Sequence, residues 1–254
     1  MAEETGRAPA GLVSDGIRLA SHLARPPGSI ARGGVRAGLV IAHGMPFGDG
    51  AGPAASLTFP ELADRVARDT GWLALSFGFR GAGRSAGTFS PGGWRRDLVA
   101  AVAFVRPEVS SVFVAGFGIG GALALRVAAD DTDIGGVAVL GTPSDLGAGA
   151  DDVDGLAAVA EESGYAMPDP SQRAGWAADL RAIDPLGAAA AIPPRPLLIV
   201  HGSVDPDAPL VEARALAEAT EGAAELRVVP MAGHRLRHDP RAVALLLGWL
   251  QRHG

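Results

Sequence analysis

Along the chain, short apolar runs alternate with longer stretches in which hydrophobic residues recur about every 3.6 positions. This alternation predicts strands that alternate with helices. Short apolar runs bounded by glycine or turn residues predict buried strands. The predicted strands are Ile17–Ala24, Ala37–Ala42, Trp72–Phe77, Ser111–Ala115, Ile134–Leu140, Leu197–Val200 and Glu225–Val229. This order indicates an α/β protein with a mostly parallel central sheet and helices on both of its faces.

Helix boundaries are marked by capping residues and by prolines. Longer stretches between the strands have the 3.6-residue period of amphipathic helices. The predicted helices run from a cap at Thr58, with Pro60 near the first turn, to about Thr70; from Ser90-Pro91 to a point before Pro107; from the turn after Ser111–Ala115 to about Ala129; and from Pro240 to Gln251.

Residues 144–196 interrupt this rhythm, because two helical patterns stand there between consecutive strands. A structureless loop of that length is uncommon inside a compact domain. The segment is therefore predicted to be a small helical cap inserted into a core domain made of residues 1–143 and 197–254. Two ordinary surface helices with no role in binding are an equally open interpretation.

A glycine-rich turn, Gly116-Phe117-Gly118-Ile119-Gly120, stands between a predicted strand and a predicted helix. A serine hydrolase that presents its nucleophile on such a turn needs small residues two positions before and two after it. Gly116 and Gly120 meet this need, but Gly118 stands where the serine would be. Glycine relaxes the backbone strain of the central position. The replacement therefore removes the nucleophile while the turn is kept.

The same turn also fits a different motif. Gly116, Gly118 and Gly121 spell G-x-G-x-x-G, the dinucleotide-binding fingerprint. That fingerprint requires an acidic residue about 20 positions later, at the end of the next strand. The next strand here ends in Leu140-Gly141-Thr142, which contains no acid. Dinucleotide binding is therefore the weaker alternative.

Three further motifs follow predicted strands. His43-Gly44-Met45 places the Met45 N–H where, together with the Ile119 N–H, it would form an oxyanion hole. His201-Gly202-Ser203-Val204-Asp205 supplies a carboxylate, and Gly233-His234 supplies an imidazole that this carboxylate could orient. Asp205 and His234 are therefore expected within hydrogen-bond distance. Alternatively, His43-Gly44 is a plain turn and Gly233-His234 lies on the surface. His238, four residues after His234, is expected to be a solvated residue at the start of a helix.

A tight loop follows the Trp72–Phe77 strand and reads Gly78-Phe79-Arg80-Gly81-Ala82-Gly83-Arg84-Ser85. Arg80 is expected to hydrogen bond with nearby carbonyl groups in a structural role, and it is not expected to be catalytic.

Taken in order, these five motifs resemble the α/β-hydrolase superfamily over nearly the whole chain. The loop around Arg80 is most similar to the small-esterase, dienelactone-hydrolase and serine-peptidase-like branches. The resemblance implies an α/β-hydrolase fold and a Ser–Asp–His triad, with Asp205 as the acid and His234 as the base. This chain departs from the family pattern at Gly118, and aspartate, the nucleophile of haloalkane dehalogenases and epoxide hydrolases, is not present there either.

Several hydroxyl groups lie near the predicted strand ends and could replace the missing nucleophile. They are Ser85, Thr142, Ser144 and Ser203. Such a replacement needs a nucleophile held to within a fraction of an ångström. Asp145 would be either a second carboxylate at the site or, as is more common for such a residue, a helix cap. The glycine-rich turn at residues 116–120 is called the elbow below. Around it, substrate is expected to bind the side chains or backbone of His43, Gly44, Thr142 and Trp176.

Composition excludes several kinds of chemistry. The chain contains no cysteine and no lysine, so it has neither thiolate nor Schiff-base catalysis available. Its six histidines are scattered without the spacing of metal ligands, and no cofactor is expected. The net charge of −6 argues against nucleic acid and anionic membranes as partners. The polar start and the lack of a long apolar run predict a cytoplasmic protein.

Three functional hypotheses follow. The chain acts on or binds a small acyl or ester-like molecule through the His–Asp pair and the oxyanion hole, without a covalent acyl-enzyme. Alternatively, it is an inactive hydrolase relative that binds a ligand or a protein. A third hypothesis is an ordinary serine esterase into which a Ser-to-Gly change was introduced. The expected partner is a small molecule, and a homodimer is possible.

Overall fold

The computed structural model describes residues 11–27, 35–45 and 55–254. Within these ranges the chain forms nine strands and nine α-helices. The strands are β1 Leu12–Ser14, β2 Ile17–Leu19, β3 Ser21–Ala24, β4 Val35–Ala42, β5 Leu73–Phe77, β6 Val109–Phe117, β7 Ile134–Leu140, β8 Leu197–Gly202 and β9 Glu225–Val229. The helices are α1 Ala55–Thr70, α2 Pro91–Val105, α3 Ile119–Asp130, α4 Gly147–Asp151, α5 Val153–Glu162, α6 Trp176–Arg181, α7 Pro185–Ala190, α8 Leu210–Ala219 and α9 Pro240–His253.

Seven strands form one central sheet in the order β3-β5-β4-β6-β7-β8-β9. All neighbours are parallel except β3, which runs antiparallel to β5 at one edge. Every residue of β5 and β8 is buried, as expected for parallel strands that are covered by helices on both faces. The mostly parallel sheet predicted from the sequence is therefore confirmed.

The carboxyl ends of β4 to β9 meet at one edge of this sheet. The loops that carry the sequence motifs all begin there, so the fold brings residues that are up to about 190 positions apart in sequence into one region. The helix α2 shows how local sequence sets these boundaries. Its cap Ser90 accepts a hydrogen bond from the Gly93 N–H at 3.2 Å, and Pro91 occupies the first helical position.

The predicted strand Ile17–Ala24 is divided in two by Ala20. The Ala20 N–H donates to the Ser85 hydroxyl at 2.9 Å, and the Ala20 carbonyl accepts from the Gly78 N–H at 2.8 Å. These bonds tie Ala20 to the loop after β5. The helix α1 also differs from expectation, because it begins before the predicted cap Thr58 and so contains Pro60 in its interior.

The segment 144–196 contains four short α-helices, α4 to α7, where two helical patterns were expected. The first three lie in one group, in which α4 packs on α5 and α6 and α6 also contacts α2. The last, α7, packs against α3 and α8. The final part of the segment is therefore continuous with the helical layer of the sheet. Among the described helices, none is long and apolar enough to cross a membrane.

Candidate functional site

The turn from β6 into α3 is closely packed around glycine. A Cβ atom added to Gly116 would lie 2.3 Å from the carbonyl oxygen of Gly120, and one added to Gly120 would lie 2.3 Å from the carbonyl oxygen of His43. Both distances are far below any normal contact. Gly118 itself has φ +53° and ψ −127°, a conformation that strains any residue with a side chain. Glycine at the centre of the turn adopts this conformation without that strain.

This packing predicts a large loss of stability for Gly116→Ala. The added methyl group meets backbone atoms that cannot rotate away, so we expect a cost on the order of 3 kcal/mol or more in the free energy of unfolding. Gly175→Ala is the matched control, because a Cβ atom there meets nothing within 4 Å. Urea unfolding should show a change of less than about 0.5 kcal/mol for the control. Equal stability of the two variants would contradict the packing.

Asp205 and His234 lie within hydrogen-bond distance, as the motif order predicted. The distance from His234 Nδ1 to Asp205 Oδ2 is 2.9 Å. The Asp205 side chain is fully buried, and its Oδ1 accepts the N–H groups of Asp207 and Ala208, each at 3.0 Å. Burial alone would raise the pKa of Asp205, but the hydrogen bonds from His234 and from these amides outweigh it and hold this pKa below its usual value. Asp205 is thus an ionised partner for the imidazole.

The second nitrogen of His234 faces the elbow. A Cβ atom built on Gly118 would lie 3.5 Å from His234 Nε2 and 3.8 Å from the Cα of Gly44. Because a serine hydroxyl extends one further bond from this Cβ, the imidazole is placed where it could take a proton from a group held at residue 118. His234 Nδ1 is held by Asp205 at the same time. Asp205, His234 and the turn at Gly118 are therefore adjacent to one another.

The peptide between Gly44 and Met45 lies next to the elbow. A Cβ atom on Gly44 would be 3.5 Å from the Cα of Gly118. The Gly44 carbonyl accepts hydrogen bonds from His43 Nδ1 at 2.8 Å and from the Tyr165 hydroxyl at 3.4 Å. In a trans peptide the following N–H points the opposite way. These two side chains therefore orient the Met45 N–H, which was expected to be one oxyanion donor.

Ile119 is the first residue of α3, and its N–H belongs to the first helical turn. The four leading N–H groups of a helix have no acceptor within that helix, and the helix dipole adds partial positive charge at this end. The N–H of Ile119 therefore follows Gly118 directly and is suited to bind a developing negative charge.

Both ring nitrogens of His43 are used to hold backbone. Nδ1 donates to the Gly44 carbonyl, and Nε2 accepts the Phe79 N–H at 3.0 Å. The ring also packs edge-on against Phe79 and Trp94. His43 was expected to contact substrate, but both of its ring nitrogens bond to backbone groups and so help to fix the peptide between Gly44 and Met45. Burial lowers the pKa of His43 to about 4, although its bond to Gly44 acts in the opposite direction.

This low pKa predicts a defined dependence of stability on pH. Between pH 6.5 and 4 the unfolded chain protonates His43 while the folded chain does not, so the free energy of unfolding falls as the pH falls. The shift corresponds to about 3 kcal/mol from this group over that window. In His43→Gln, whose amide oxygen can still accept the Phe79 N–H, the pH dependence should flatten by that amount.

Urea unfolding at pH 7 and pH 4 measures the difference. The matched control is His22→Gln, because His22 is an exposed histidine that bonds to Asp64 at 2.7 Å, far from the elbow in sequence. An unchanged pH dependence in His43→Gln would show that His43 is not held neutral.

Thr142 and Trp176, both expected to bind substrate, are buried. The Thr142 hydroxyl points at α3, because a Cβ atom on Gly121 would lie 1.9 Å from it. This close approach accounts for the glycine that completes the dinucleotide-like pattern. The Trp176 ring packs edge-on against Phe89 at 4.9 Å and lies under Arg173. Neither side chain presents a free surface beside Gly118.

The other hydroxyl groups considered as substitute nucleophiles are held in structural bonds. Ser85 donates to the Gly78 carbonyl at 2.7 Å. Ser203 accepts the Met231 N–H at 2.8 Å. Ser144 bonds to Glu212 through both its N–H and its hydroxyl. In the described part of the chain, none of these three hydroxyl groups bonds to His234.

Arg80 has a structural role, as expected, but its guanidinium bonds to side-chain oxygens where backbone carbonyls were expected. Its guanidinium bonds to the buried carboxylate of Asp97 at 2.6 Å and to Asp15 at 3.0 Å, and its carbonyl accepts the Trp94 indole N–H. This network fixes the loop after β5 to α2. Asp145, considered as a second carboxylate, accepts the Gly147 N–H at 2.9 Å and so acts locally at the start of α4.

Asp205, Asp207 and His234 offer atoms within 4.8 Å of one another, which is a spacing that a metal ion could bridge. The hydrogen bonds to Asp205 already account for its two oxygens, and Asp207 is exposed. Asp205 and His234 therefore form a hydrogen-bonded pair, and Asp207 lies beside this pair at the surface.

Three features of the site were missed in the sequence. Gly141 has φ +59° and lies beside the pair, where a Cβ atom would be 3.5 Å from His234 Nδ1. Tyr165 reaches Gly44 from the 144–196 segment, and Arg237 lies over the ring of Phe59. A glycine after a strand was the available signal for Gly141, whereas nothing local in the sequence marks Tyr165 or Arg237.

No protein-family model matches the sequence, and no curated protein matches it. Many solved structures do match its fold. Est1E from Butyrivibrio proteoclasticus, solved with ferulic acid bound, is 17% identical with a TM-score of 0.66 and is aligned over 95% of this chain and 96% of its own. An esterase from Pyrococcus furiosus is 18% identical with a TM-score of 0.66 and is aligned over 96% of this chain and 89% of its own.

A meta-cleavage product hydrolase from Pseudomonas fluorescens, solved with acetates, is 16% identical with a TM-score of 0.65, over 96% and 98% of the two chains. At these identities the likeness establishes the architecture. The strand order, the parallel sheet and the helical layers agree with it. This chain therefore has the α/β-hydrolase fold.

Proposed function

We propose that this protein is a hydrolase-like enzyme that acts on a small acyl or ester-like molecule without forming a covalent acyl-enzyme. The observation that carries this proposal is the position of His234. Its Nδ1 is held by buried Asp205, while its Nε2 lies 3.5 Å from the place where a side chain on Gly118 would begin. A general base aimed at that place can act on a water molecule or on a proton of the substrate itself.

For an ester substrate, the proposed nucleophile is a water molecule. The water oxygen attacks the acyl carbon while His234 Nε2 accepts its proton, and the carbonyl oxygen takes up the negative charge. The N–H groups of Met45 and Ile119 are the proposed donors to that oxygen. When the carbon–oxygen bond to the alcohol breaks, the imidazolium returns the proton to the leaving alkoxide. Asp205 stabilises the imidazolium in between.

The rate expected from such a site is low. Damaged triads retain about 10³–10⁴-fold catalysis over water from the oxyanion hole and binding alone. The structural neighbours support the substrate class only in general terms, since they include an esterase and proteins solved with ferulic acid or acetates bound. A lyase or isomerase reaction that needs only proton transfer is also compatible with the proposed roles.

The alternative function is a ligand-binding protein. The absence of a side chain at Gly118 favours it, together with the structural bonds of Ser85, Ser144 and Ser203 near the site. Such a protein would bind a small molecule or a partner chain at the same place. It would have no use for a base held by a buried carboxylate, and for that reason we favour the enzyme.

Turnover of a short-chain activated aryl ester tests the choice. Removing the general base in His234→Ala should lower the rate by about 10²–10⁴-fold. His238→Ala is the matched control, because this exposed histidine lies four residues later and should leave the rate unchanged. If the protein and its His234→Ala variant hydrolyse the ester at the same background rate, the hydrolytic proposal fails and ligand binding becomes the better account.

A further inference from the structure

His201 is a buried histidine that the proposed mechanism does not use. It stands at the carboxyl end of β8, four residues before Asp205, and its side chain is fully buried. Its Nε2 lies 2.7 Å from the carbonyl oxygen of Ala208, while its Nδ1 has no hydrogen-bond partner within residues 11–27, 35–45 and 55–254. Burying a polar nitrogen without a partner costs free energy, so core packing alone would favour an apolar residue here. The bond to Ala208 is therefore the feature that calls for an explanation.

This bond fixes which ring nitrogen of His201 carries the proton. A carbonyl oxygen can only accept a hydrogen bond, so His201 Nε2 is the donor. The same nitrogen lies 3.6 Å from Asp205 Oδ2, which is too far for a second hydrogen bond. His201 therefore does not compete with His234 for that oxygen, and its hydrogen-bonded link to the Asp205 loop is Ala208.

Ala208 is held by both of its backbone groups. Its N–H donates to Asp205 Oδ1 at 3.0 Å, and its carbonyl accepts the bond from His201. The other oxygen of the carboxylate, Oδ2, lies 2.9 Å from His234 Nδ1. Because a carboxylate is rigid and planar, a rotation of the Ala208 backbone that withdrew its N–H from Oδ1 would also let Oδ2 turn away from His234. His201 thus begins a chain of hydrogen bonds that ends at the imidazole of His234.

The loop after β9 is attached to the same end of β8 by other groups. The Val204 N–H donates to the Ala232 carbonyl at 3.1 Å, and a Cβ atom on Gly202 would lie 2.3 Å from that carbonyl oxygen. Neither contact involves the His201 side chain, so the loop that carries His234 should keep its place when that side chain is changed. A change at residue 201 is therefore expected to act on the acid and not on the base.

We propose that His201 is a positioning residue that orients the Asp205 carboxylate towards His234 by holding the Ala208 carbonyl. Its fully buried side chain has no access to a substrate. Losing the bond should weaken the hydrogen bond between Asp205 and His234 and leave the sheet intact. The inference rests on the proposed function only in giving this pair a catalytic use, because the geometry of the pair can be measured without any turnover.

Two variants separate the bond from the bulk of the ring. His201→Gln places an amide NH₂ group near the position of Nε2, so it can still donate to the Ala208 carbonyl. His201→Leu fills the space but has no donor. It removes one unpaired buried nitrogen and leaves one carbonyl unpaired, so its thermal midpoint should stay within about 10 °C of the parent value. If it does not fold, His201→Met is the second variant without a donor, because its flexible side chain adapts to an irregular space.

The control for a general disturbance of the core is Ile199→Val, two residues earlier in β8 and also buried. Ile199→Val removes a methyl group from the same strand and leaves the bond between His201 and Ala208 in place. It should lower the thermal midpoint by roughly 1–6 °C without affecting the pair of Asp205 and His234.

Proton NMR reports the bond between His234 and Asp205 directly. A proton held in a charge-assisted bond between an imidazole and a buried carboxylate resonates to low field of the backbone amides, and its absence in His234→Ala assigns the signal. The parent, His201→Gln and Ile199→Val should show this signal, and His201→Leu should lose it. In ester turnover, His201→Leu should lower kcat by about 10- to 100-fold with KM unchanged, and His201→Gln should recover most of the loss.

The outcomes separate this inference from the proposed function. A signal that survives unchanged in folded His201→Leu or His201→Met would overturn the role of His201, even if turnover depends on His234. Loss of the signal in His201→Gln or in Ile199→Val would also overturn it, because the effect would then be one of packing. A signal that is lost in His201→Leu and kept in both His201→Gln and Ile199→Val would support the role even if no ester is hydrolysed, in which case only the proposed function fails.

Discussion

Gly118→Ser should convert this protein into an enzyme that forms a covalent acyl intermediate. The new Cβ atom would lie 3.5 Å from His234 Nε2, so the serine hydroxyl attached to it can donate its proton to the imidazole. Hydrolysis of an activated aryl ester should rise by at least about 10²-fold over the parent. A fluorophosphonate should then label residue 118 stoichiometrically, and pre-steady-state traces should show a burst.

The gain comes with a loss of stability that a control can isolate. Residue 118 has φ +53°, so any side chain there is strained, at a cost of about 1–3 kcal/mol. Gly118→Ala carries the same strain but lacks the hydroxyl, and it should be destabilised equally without any gain in rate. The double change Gly118→Ser with His234→Ala should lose the burst. A folded Gly118→Ser protein that cannot be labelled would show that the acid–base pair is not aligned with the elbow.

Asp205→Asn should nearly abolish whatever His234-dependent turnover the parent has, with little effect on folding. The asparagine oxygen can still accept the N–H groups of Asp207 and Ala208, which now bond to Oδ1 at 3.0 Å each. Its NH₂ group would then face His234 Nδ1 and donate to it. The imidazole would carry its own proton on Nε2, the atom that must accept one, and the rate should fall by about 10²–10⁴-fold.

The control for this change is Asp207→Asn, two residues away in the same loop. Asp207 is exposed, and its N–H group, which remains in the variant, is its contact with Asp205. Its rate and its thermal midpoint should match those of the parent. If Asp205→Asn also keeps the parental rate, the turnover does not depend on the hydrogen bond between Asp205 and His234, and this pair has no role in catalysis.

The sequence predicted the sheet well because most of its strands are short runs rich in apolar residues and bounded by turn residues. Ile134–Leu140 and Glu225–Val229 were predicted with the bounds that the structure shows. The strand at Ile17–Ala24 was too long, because its division at Ala20 depends on hydrogen bonds to a loop about 60 residues away. Local periodicity carries no information about such distant partners.

The site could be predicted where a motif fixes backbone geometry. The distance between Asp205 and His234 follows from two loops at the same sheet edge, and the elbow follows from its glycines. The roles of Thr142 and Trp176 did not follow, because the direction of a side chain depends on packing between elements that are far apart in sequence. The same limit hid Tyr165 and Arg237, whose contacts join the 144–196 segment to Gly44 and the loop after β9 to Phe59.

The most direct test of the central claim is the intact mass of the parent protein, acid-quenched while it turns over an activated aryl ester. We predict steady, His234-dependent release of the aryl alcohol with no acyl adduct on the protein, because no nucleophile stands at residue 118. An accumulating acyl adduct on any serine or threonine would contradict this account, since it would reveal a substitute nucleophile.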